Sequence, residues 1–193
     1  MPILGRKPKD CFDTFRDHLA RLLSATVLAD VLIHFDPVGS DAWIGFWRGE
    51  GLVAVPLETT FGTLFFWAAQ HVEAERADKK TFKLKTLEYA YKLLPSDGAT
   101  AKPLIRWEYK RSLTGGTHQC RHHVHHRSSI ELPNGAGTMD FDRLHVATGY
   151  TTIEHVLRFL ITDLGMIPPC GKRWPRVLDD SERVFREQFS TPL

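Results

Sequence analysis

The stretch "TFKLKTLEYAYKLL", Thr81 to Leu94, alternates in side-chain character and decides the fold class. Side chains two positions apart on a β-strand point to the same face of the sheet, so this alternation predicts a strand. The residues expected to share one of its faces are Lys83, Lys85, Leu87, Tyr89, Tyr91 and Leu93.

Three further strands are expected after this one. "LIRWEYKR", Leu104 to Arg111, alternates again, and "RHHVHHRS", Arg121 to Ser128, has the composition of a third strand. "PNG", Pro133 to Gly135, separates two short alternating runs and is typical of a hairpin turn. Successive strands joined by short turns predict an antiparallel meander.

Helices are expected on both sides of this sheet. An apolar spacing of three and four residues, after a possible cap at Asp10, predicts a helix near the N-terminus. "TTFGTLFFWAAQHVEAERADKK", residues 59–80, is interpreted as a second helix with Leu64, Trp67, Ala68 and His71 on one side. Two helices are expected at the C-terminus, over residues 151–165 and 178–189, and the first carries the capping-box pattern Thr151-x-x-Glu154.

These elements define an α+β fold with an N-terminal helix, a central antiparallel β-meander and two C-terminal helices. Residues 1–80 are expected to form a helical or mixed N-terminal region. Residues 81–193 are expected to form the sheet with its C-terminal helices, and both parts belong to one compact domain. A chain of 193 residues that is 42% hydrophobic and 11% aromatic can bury such a core, which argues against disorder.

Composition also bounds the location and the partners of the protein. Three widely spaced cysteines, an odd number, favour free thiols in a reducing compartment. The apolar runs are too short to span a bilayer, so we expect a cytoplasmic protein without a membrane partner.

The net charge is +2, yet residues 102–127 carry six lysines and arginines against one acid, a local net charge of +5. That segment favours phosphate-bearing partners such as RNA, although a solvated sheet face is the alternative.

Five of the ten histidines lie between His118 and His126, and they are the main candidates for function. If this segment is a strand, His123, His125 and Arg127 share one face, and His122, Val124 and His126 share the other. Three interpretations of this pattern remain open.

The first interpretation is a metal site. His-x-His on a strand offers two ligands to a catalytic zinc or iron ion, as in a metal-dependent hydrolase or oxygenase. The candidates for a third ligand are His118, Cys120, Asp140, Asp142 and His145.

The second interpretation is acid–base cleavage of RNA without a metal or other cofactor. Histidine titrates near neutrality, so His123 and His125 can act as base and acid, with His122 replacing them if the register slips by one residue. Arginines stabilise charge that develops on a phosphate, and aromatic rings stack on bases, unless they are simply part of the core. The residues expected to bind substrate in this way are Arg106, Arg121, Arg127, Trp107 and Tyr109.

The third interpretation is a histidine cluster without catalysis, at a surface, at the edge of the core or in a pH-sensitive interface. The chain would then be a binding or regulatory module, for example the partner of a DNA-binding protein.

Two short motifs resemble those of a known protein family. They are Ile105-Arg106-Trp107 and His122-His123-Val124-His125, together with Tyr91 on the preceding strand. Over about residues 82–165, including an amphipathic helix at Thr152–Leu164, the chain resembles small bacterial toxins of toxin–antitoxin pairs. Those toxins have an Arg-aromatic strand followed by a His-His-x-His motif. The resemblance implies a toxin-type ribonuclease that is neutralised by a small DNA-binding antitoxin.

Overall fold

The computed structural model describes residues 3–35, 39–48, 51–98, 100–112, 121–133, 137–141, 144 and 146–189. Within these ranges the chain forms three α-helices, one near the N-terminus and two near the C-terminus. They are α1 (Pro8–Thr26), α2 (Ile153–Thr162) and α3 (Trp174–Phe189). The predicted order of helices around a central sheet is confirmed.

The strands of the described residues are short except at the centre of the sheet. They are β1 (Leu4–Gly5), β2 (Leu32–Phe35), β3 (Asp41–Gly45), β4 (Trp47–Arg48), β5 (Gly51–Leu52), β6 (Val55–Thr59), β7 (Gly62–Arg76), β8 (Phe82–Leu94), β9 (Ile105–Lys110), β10 (His122–His126), β11 (Ser129–Glu131), β12 (Thr138–Asp140) and β13 (Val146–Ala147).

Nine of these strands form one sheet with the order β13-β10-β9-β8-β7-β3-β2, in which β1 also pairs with β8 and β6 with β7. Strands β7 to β10 are neighbours in sequence and in space, and their pairings are antiparallel, so the predicted central meander is confirmed. The predicted hairpin after residue 128 forms as β11 and β12, which make a separate two-stranded sheet. Its expected turn residues, Asn134 and Gly135, lie outside the described residues.

The helix expected over residues 59–80 is wrong, because most of this segment is the long strand β7. β7 pairs with β8 from Phe65 to Arg76. Its buried residues include Phe66, Ala68, Val72 and Ala74, which follow a period of two. The three- and four-residue spacing of its apolar side chains was coincidental, and pairing with distant strands overrides such a local pattern.

A β-bulge in β8 changes which side chains share a face. His71 pairs with Glu88 and Val72 pairs with Thr86, so Leu87 is an extra residue in the ladder. The expectation that Lys83 and Lys85 share a face with Tyr89, Tyr91 and Leu93 is therefore wrong. Before the bulge the lysines occupy one face, and after it the tyrosines occupy the opposite face.

The two faces of the sheet have different surroundings. Helices α1 and α3 contact β8, α1 also contacts β7, and Phe159 of α2 packs edge-on against Trp107 of β9 with ring centroids 5.7 Å apart. The side chains between sheet and helices form the hydrophobic core, which includes Phe12, Phe66, Leu84 and Leu160. None of the three described helices packs on the opposite face, which we call the open face.

The helix ends differ in detail from the expected caps. Lys7 precedes the first residue of α1, and Asp10 accepts a hydrogen bond from the Lys7 backbone N–H at 3.0 Å instead of occupying the cap position. Thr152, not Thr151, caps α2, because its hydroxyl accepts from the His155 N–H at 3.2 Å. No described helix combines the length and the apolar character needed to cross a bilayer.

Candidate functional site

Strands β9 and β10 bring the candidate residues together on the open face. In their antiparallel register His123 lies opposite Glu108, and His125 lies opposite Arg106. Directly opposed residues share a face, and so do residues two apart, so these four side chains form one patch. The alternation expected for the histidine strand is present, because Val124 is buried and pairs with Trp107 on the other face.

Within this patch two imidazoles converge on one carboxylate oxygen. Glu108 Oε2 lies 3.3 Å from His123 Nε2 and 3.7 Å from His125 Nε2. The two imidazole rings are nearly perpendicular, with centroids 5.0 Å apart. Each histidine is only 7% exposed, so the surroundings restrict the rings to this arrangement. We call Glu108, His123 and His125 the triad.

Glu108 is the residue that the sequence analysis missed. In the sequence Glu108 stands out only as the one acid of the basic segment 102–127, and the predicted third ligands lie elsewhere in the chain. Of those, Asp140 lies exposed on the β11–β12 hairpin. The alternation of "RWEYK" places Glu108 on the same face as Arg106, but only the register between β9 and β10 brings it opposite His123.

The other candidates for the third ligand fall outside the described residues. They are His118, Cys120, Asp142 and His145. Among the described residues, the third side chain that converges with the two histidines is Glu108, on the neighbouring strand β9.

Two cations continue the patch across the sheet. Arg106 Nε contacts Glu108 Oε2 at 3.0 Å, and Lys92 lies opposite Arg106 on β8. The Lys92 ammonium lies 4.2 Å from the ring centroid of Trp67, which pairs with it from β7. Burial lowers the pKa of Lys92, while nearby Glu108 raises it and Arg106 lowers it. The carboxylate and both cations are thus close enough to influence one another.

His122 lies on the opposite, helix-bearing face and belongs to a different group. Its ring stacks on Tyr109 at 4.4 Å, and its Nδ1 lies 3.4 Å from the Tyr89 hydroxyl. Burial, with Arg121 nearby, lowers its pKa. The chain contains four tyrosines, and all of them join His122 in one aromatic group. We call this group, Tyr89, Tyr91, Tyr109, Tyr150 and His122, the tyrosine cluster.

The predicted substrate-binding residues are split between the two faces. Arg106 lies beside the triad, whereas Trp107 and Tyr109 point to the helix-bearing face, where Tyr109 is only 8% exposed. Both aromatic side chains pack with the core and lie apart from the two histidines. Arg121 and Arg127 are exposed and flank β10 at its two ends.

Chemically, the open face offers a carboxylate, two imidazoles and two cations within one patch. Such a set can transfer protons, hold a phosphate or bind a divalent cation. Comparison of the chain with protein-family models, curated proteins and solved structures finds no significant match in any of the three. The resemblance to toxins of toxin–antitoxin pairs therefore stays a prediction.

Proposed function

We propose that this chain is an RNA-cleaving enzyme of toxin type, with the triad as its catalytic centre. One observation supports this most strongly: two nearly buried imidazoles and a carboxylate converge beside an arginine on the open face. A folded protein rarely places ionisable groups out of water without a partner or a function. The residue types are those that phosphodiester cleavage requires.

The simplest chemistry that these residues support is proton transfer within RNA. A neutral imidazole or the Glu108 carboxylate removes the proton of a ribose 2′-OH, and the 2′ oxygen forms a bond to phosphorus. The bond from phosphorus to the 5′ oxygen breaks, and a protonated imidazole donates its proton to that leaving oxygen. The products are a 2′,3′-cyclic phosphate and a free 5′-OH, so the step consumes no other reactant.

Cations next to the triad support a phosphate substrate. Arg106 and Lys92 are neighbours across β9 and β8, so both bring positive charge to the face that carries Glu108. Charge-assisted hydrogen bonds from such groups stabilise the negative charge that grows on phosphorus. The exposed Arg121 and Arg127 extend this positive region along the strand ends.

A toxin-type ribonuclease needs a partner and a compartment. We propose a small DNA-binding antitoxin as that partner and the bacterial cytoplasm as the location. Both rest on the resemblance of the Arg106 and His122–His125 motifs. A stable complex with such a partner would agree equally with a non-catalytic binding module, so co-purification does not separate the two.

The test is RNA cleavage by purified, untagged protein. Glu108→Gln removes the charge and keeps the shape, and a combined His123→Ala/His125→Ala variant removes both imidazoles. We expect each to lower the cleavage rate by about 10²–10⁴-fold. His126→Ala is the matched control, because His126 is exposed at the end of the same strand.

Equal cleavage by the wild type and by folded Glu108→Gln protein would contradict the proposal. Thermal melting of each variant shows whether it is folded. If the triad variants lose binding of a partner protein while the wild type cleaves no RNA, the chain is a binding module.

A metal-dependent hydrolase is the second candidate, because the donor atoms of Glu108, His123 and His125 also converge as the ligands of one ion would. In that version the imidazoles are ligands and a metal-bound water takes the place of the base.

A further inference from the structure

We infer that the triad is a binding site for a divalent transition-metal ion, best filled by Zn²⁺. The ligand atoms are one carboxylate oxygen of Glu108 and one ring nitrogen each of His123 and His125. Its catalytic meaning rests on the metal-dependent version of the proposed function, in which the imidazoles are ligands and not the base and acid. Ion binding itself can be measured without RNA.

The first argument is geometric. Zinc binds imidazole nitrogen and carboxylate oxygen at about 2.0–2.1 Å, so a tetrahedral arrangement holds its ligand atoms roughly 3.3–3.4 Å apart. Glu108 Oε2 lies 3.3 Å and 3.7 Å from the two histidine Nε2 atoms. One ligand atom from each of the three residues can be chosen so that all lie within 4.8 Å of one another. The separation from Glu108 to His125 needs to shorten by a few tenths of an ångström, and any separation at the 4.8 Å bound by about 1.4 Å, to complete the tetrahedron.

The second argument is the chemistry of the donor set. Two imidazoles and one carboxylate are a recurrent ligand set of catalytic zinc and of non-haem iron, and both leave a position open for water or substrate. Both histidines are 7% exposed, which removes competing water from most of the site. All three residues lie on paired strands, which hold their backbones at fixed separation.

The third argument is the position of Arg106. Carboxylates that bind a metal are commonly hydrogen-bonded to a further residue that orients them. Arg106 Nε contacts the same Glu108 oxygen at 3.0 Å. This contact is an ion pair and not a hydrogen bond, and we infer that its charge attraction orients the Glu108 carboxylate.

The ion changes the charge of the site. The Glu108 carboxylate and two neutral imidazoles bring one negative charge, and a divalent ion leaves the triad at +1 beside Arg106 and Lys92. Such a site attracts an anionic substrate and lowers the pKa of a bound water. A phosphodiester fits this charge, which agrees with the proposed substrate.

The experiment uses the full-length, untagged protein after dialysis against a chelator. Zn²⁺ is titrated by calorimetry, and Co²⁺ serves as a visible-absorption probe of four-coordinate geometry. We expect one ion per chain, with binding at least ~100-fold weaker for Glu108→Gln and for His123→Gln. Zn²⁺ at 100 times its Kd is expected to raise the Tm of the wild type by roughly 5–10 °C.

The control variant is His126→Gln, which removes an exposed histidine of the same strand and is expected to bind Zn²⁺ as the wild type does. No binding by the folded wild type would overturn the inference. Binding that survives Glu108→Gln and His123→Gln, or that is lost in His126→Gln, would place the ion elsewhere and would also overturn it.

Cleavage assays separate this inference from the proposed function. RNA cleavage that persists in chelator, with no Zn²⁺ binding, overturns the metal site and leaves the ribonuclease. Zn²⁺ binding at the triad without RNA cleavage supports the metal site and removes the ribonuclease.

Discussion

Acidification is expected to destabilise the fold where α1 meets α3, because protonation places a positive charge on the largely buried ring of His18. His18 Nε2 lies 3.0 Å from the Ser181 hydroxyl, and that hydroxyl donates to Glu154 Oε1 at 2.6 Å. Glu154 is fully buried, and Ser181 is 6% exposed. Because the serine proton goes to the carboxylate, its oxygen accepts from the neutral His18 N–H. Burial lowers the pKa of His18 to about 4, and the Arg21 charge lowers it as well.

Stability changes with pH in the direction set by which state, folded or unfolded, binds more protons. The unfolded chain protonates His18 near pH 6.5, whereas the folded chain resists until about pH 4. The unfolded state therefore binds more protons in this window, and the stability from His18 is lost as pH falls from about 6.5 to about 4. The difference between the two pKa values corresponds to a loss of about 3 kcal/mol in the free energy of unfolding. The full loss is reached only below the pKa of His18 in the folded state. For a domain with a free energy of unfolding of about 5–15 kcal/mol, that loss is large.

Urea denaturation of the wild type and of His18→Gln at about pH 7.5 and about pH 4 measures this effect. Carboxylates remote from His18 titrate alike in both proteins and cancel in the difference between the two pH profiles. That difference reports His18 together with Glu154, which is joined to it through Ser181 and whose pKa burial raises. We expect the wild type to lose about 3 kcal/mol more than the variant on acidification. Parallel profiles for the two proteins would refute the argument.

Three further predictions follow from local geometry. Burial raises the pKa of Tyr89 to about 12 and raises that of Tyr91 as well, so near-ultraviolet absorbance of the folded protein should show these two phenols un-ionised at about pH 11. Leu28 is 77% exposed with a φ of 55°, so Leu28→Gly should raise the free energy of unfolding by roughly 0.5–1 kcal/mol in urea. Gly165 has a φ of 69° and a Cβ there meets the Thr60 side chain, so Gly165→Ala should lower it by about 2 kcal/mol or more.

Local pattern predicts the strands of the meander but not the long strand before it. The alternation in β8 and β9 is visible in sequence because polar and apolar side chains face different surroundings. In β7 the alternation is blurred, since Trp67 and Ala69 on the open face alternate with Phe66 and Ala68 on the core face, and all four are apolar. An apolar residue on both faces removes the period of two, and a helix then looks equally plausible.

The candidate site shows the same limit. Alternation alone predicts that His123 and His125 share a face, because the strand is short and regular. It cannot find Glu108, since the partner across a ladder depends on register, and eleven residues, 111–121, separate β9 from β10 in the sequence. The bulge at Leu87 is likewise set by pairing between β7 and β8.

Induced expression in a bacterial host tests the central claim, that the triad is one working centre, most directly. Growth is compared for the wild type, Glu108→Gln and His126→Gln at matched levels of folded protein. We predict arrest by the wild type and by His126→Gln, and normal growth with Glu108→Gln. Arrest by Glu108→Gln as strong as that by the wild type, or no arrest by the wild type, would contradict the account.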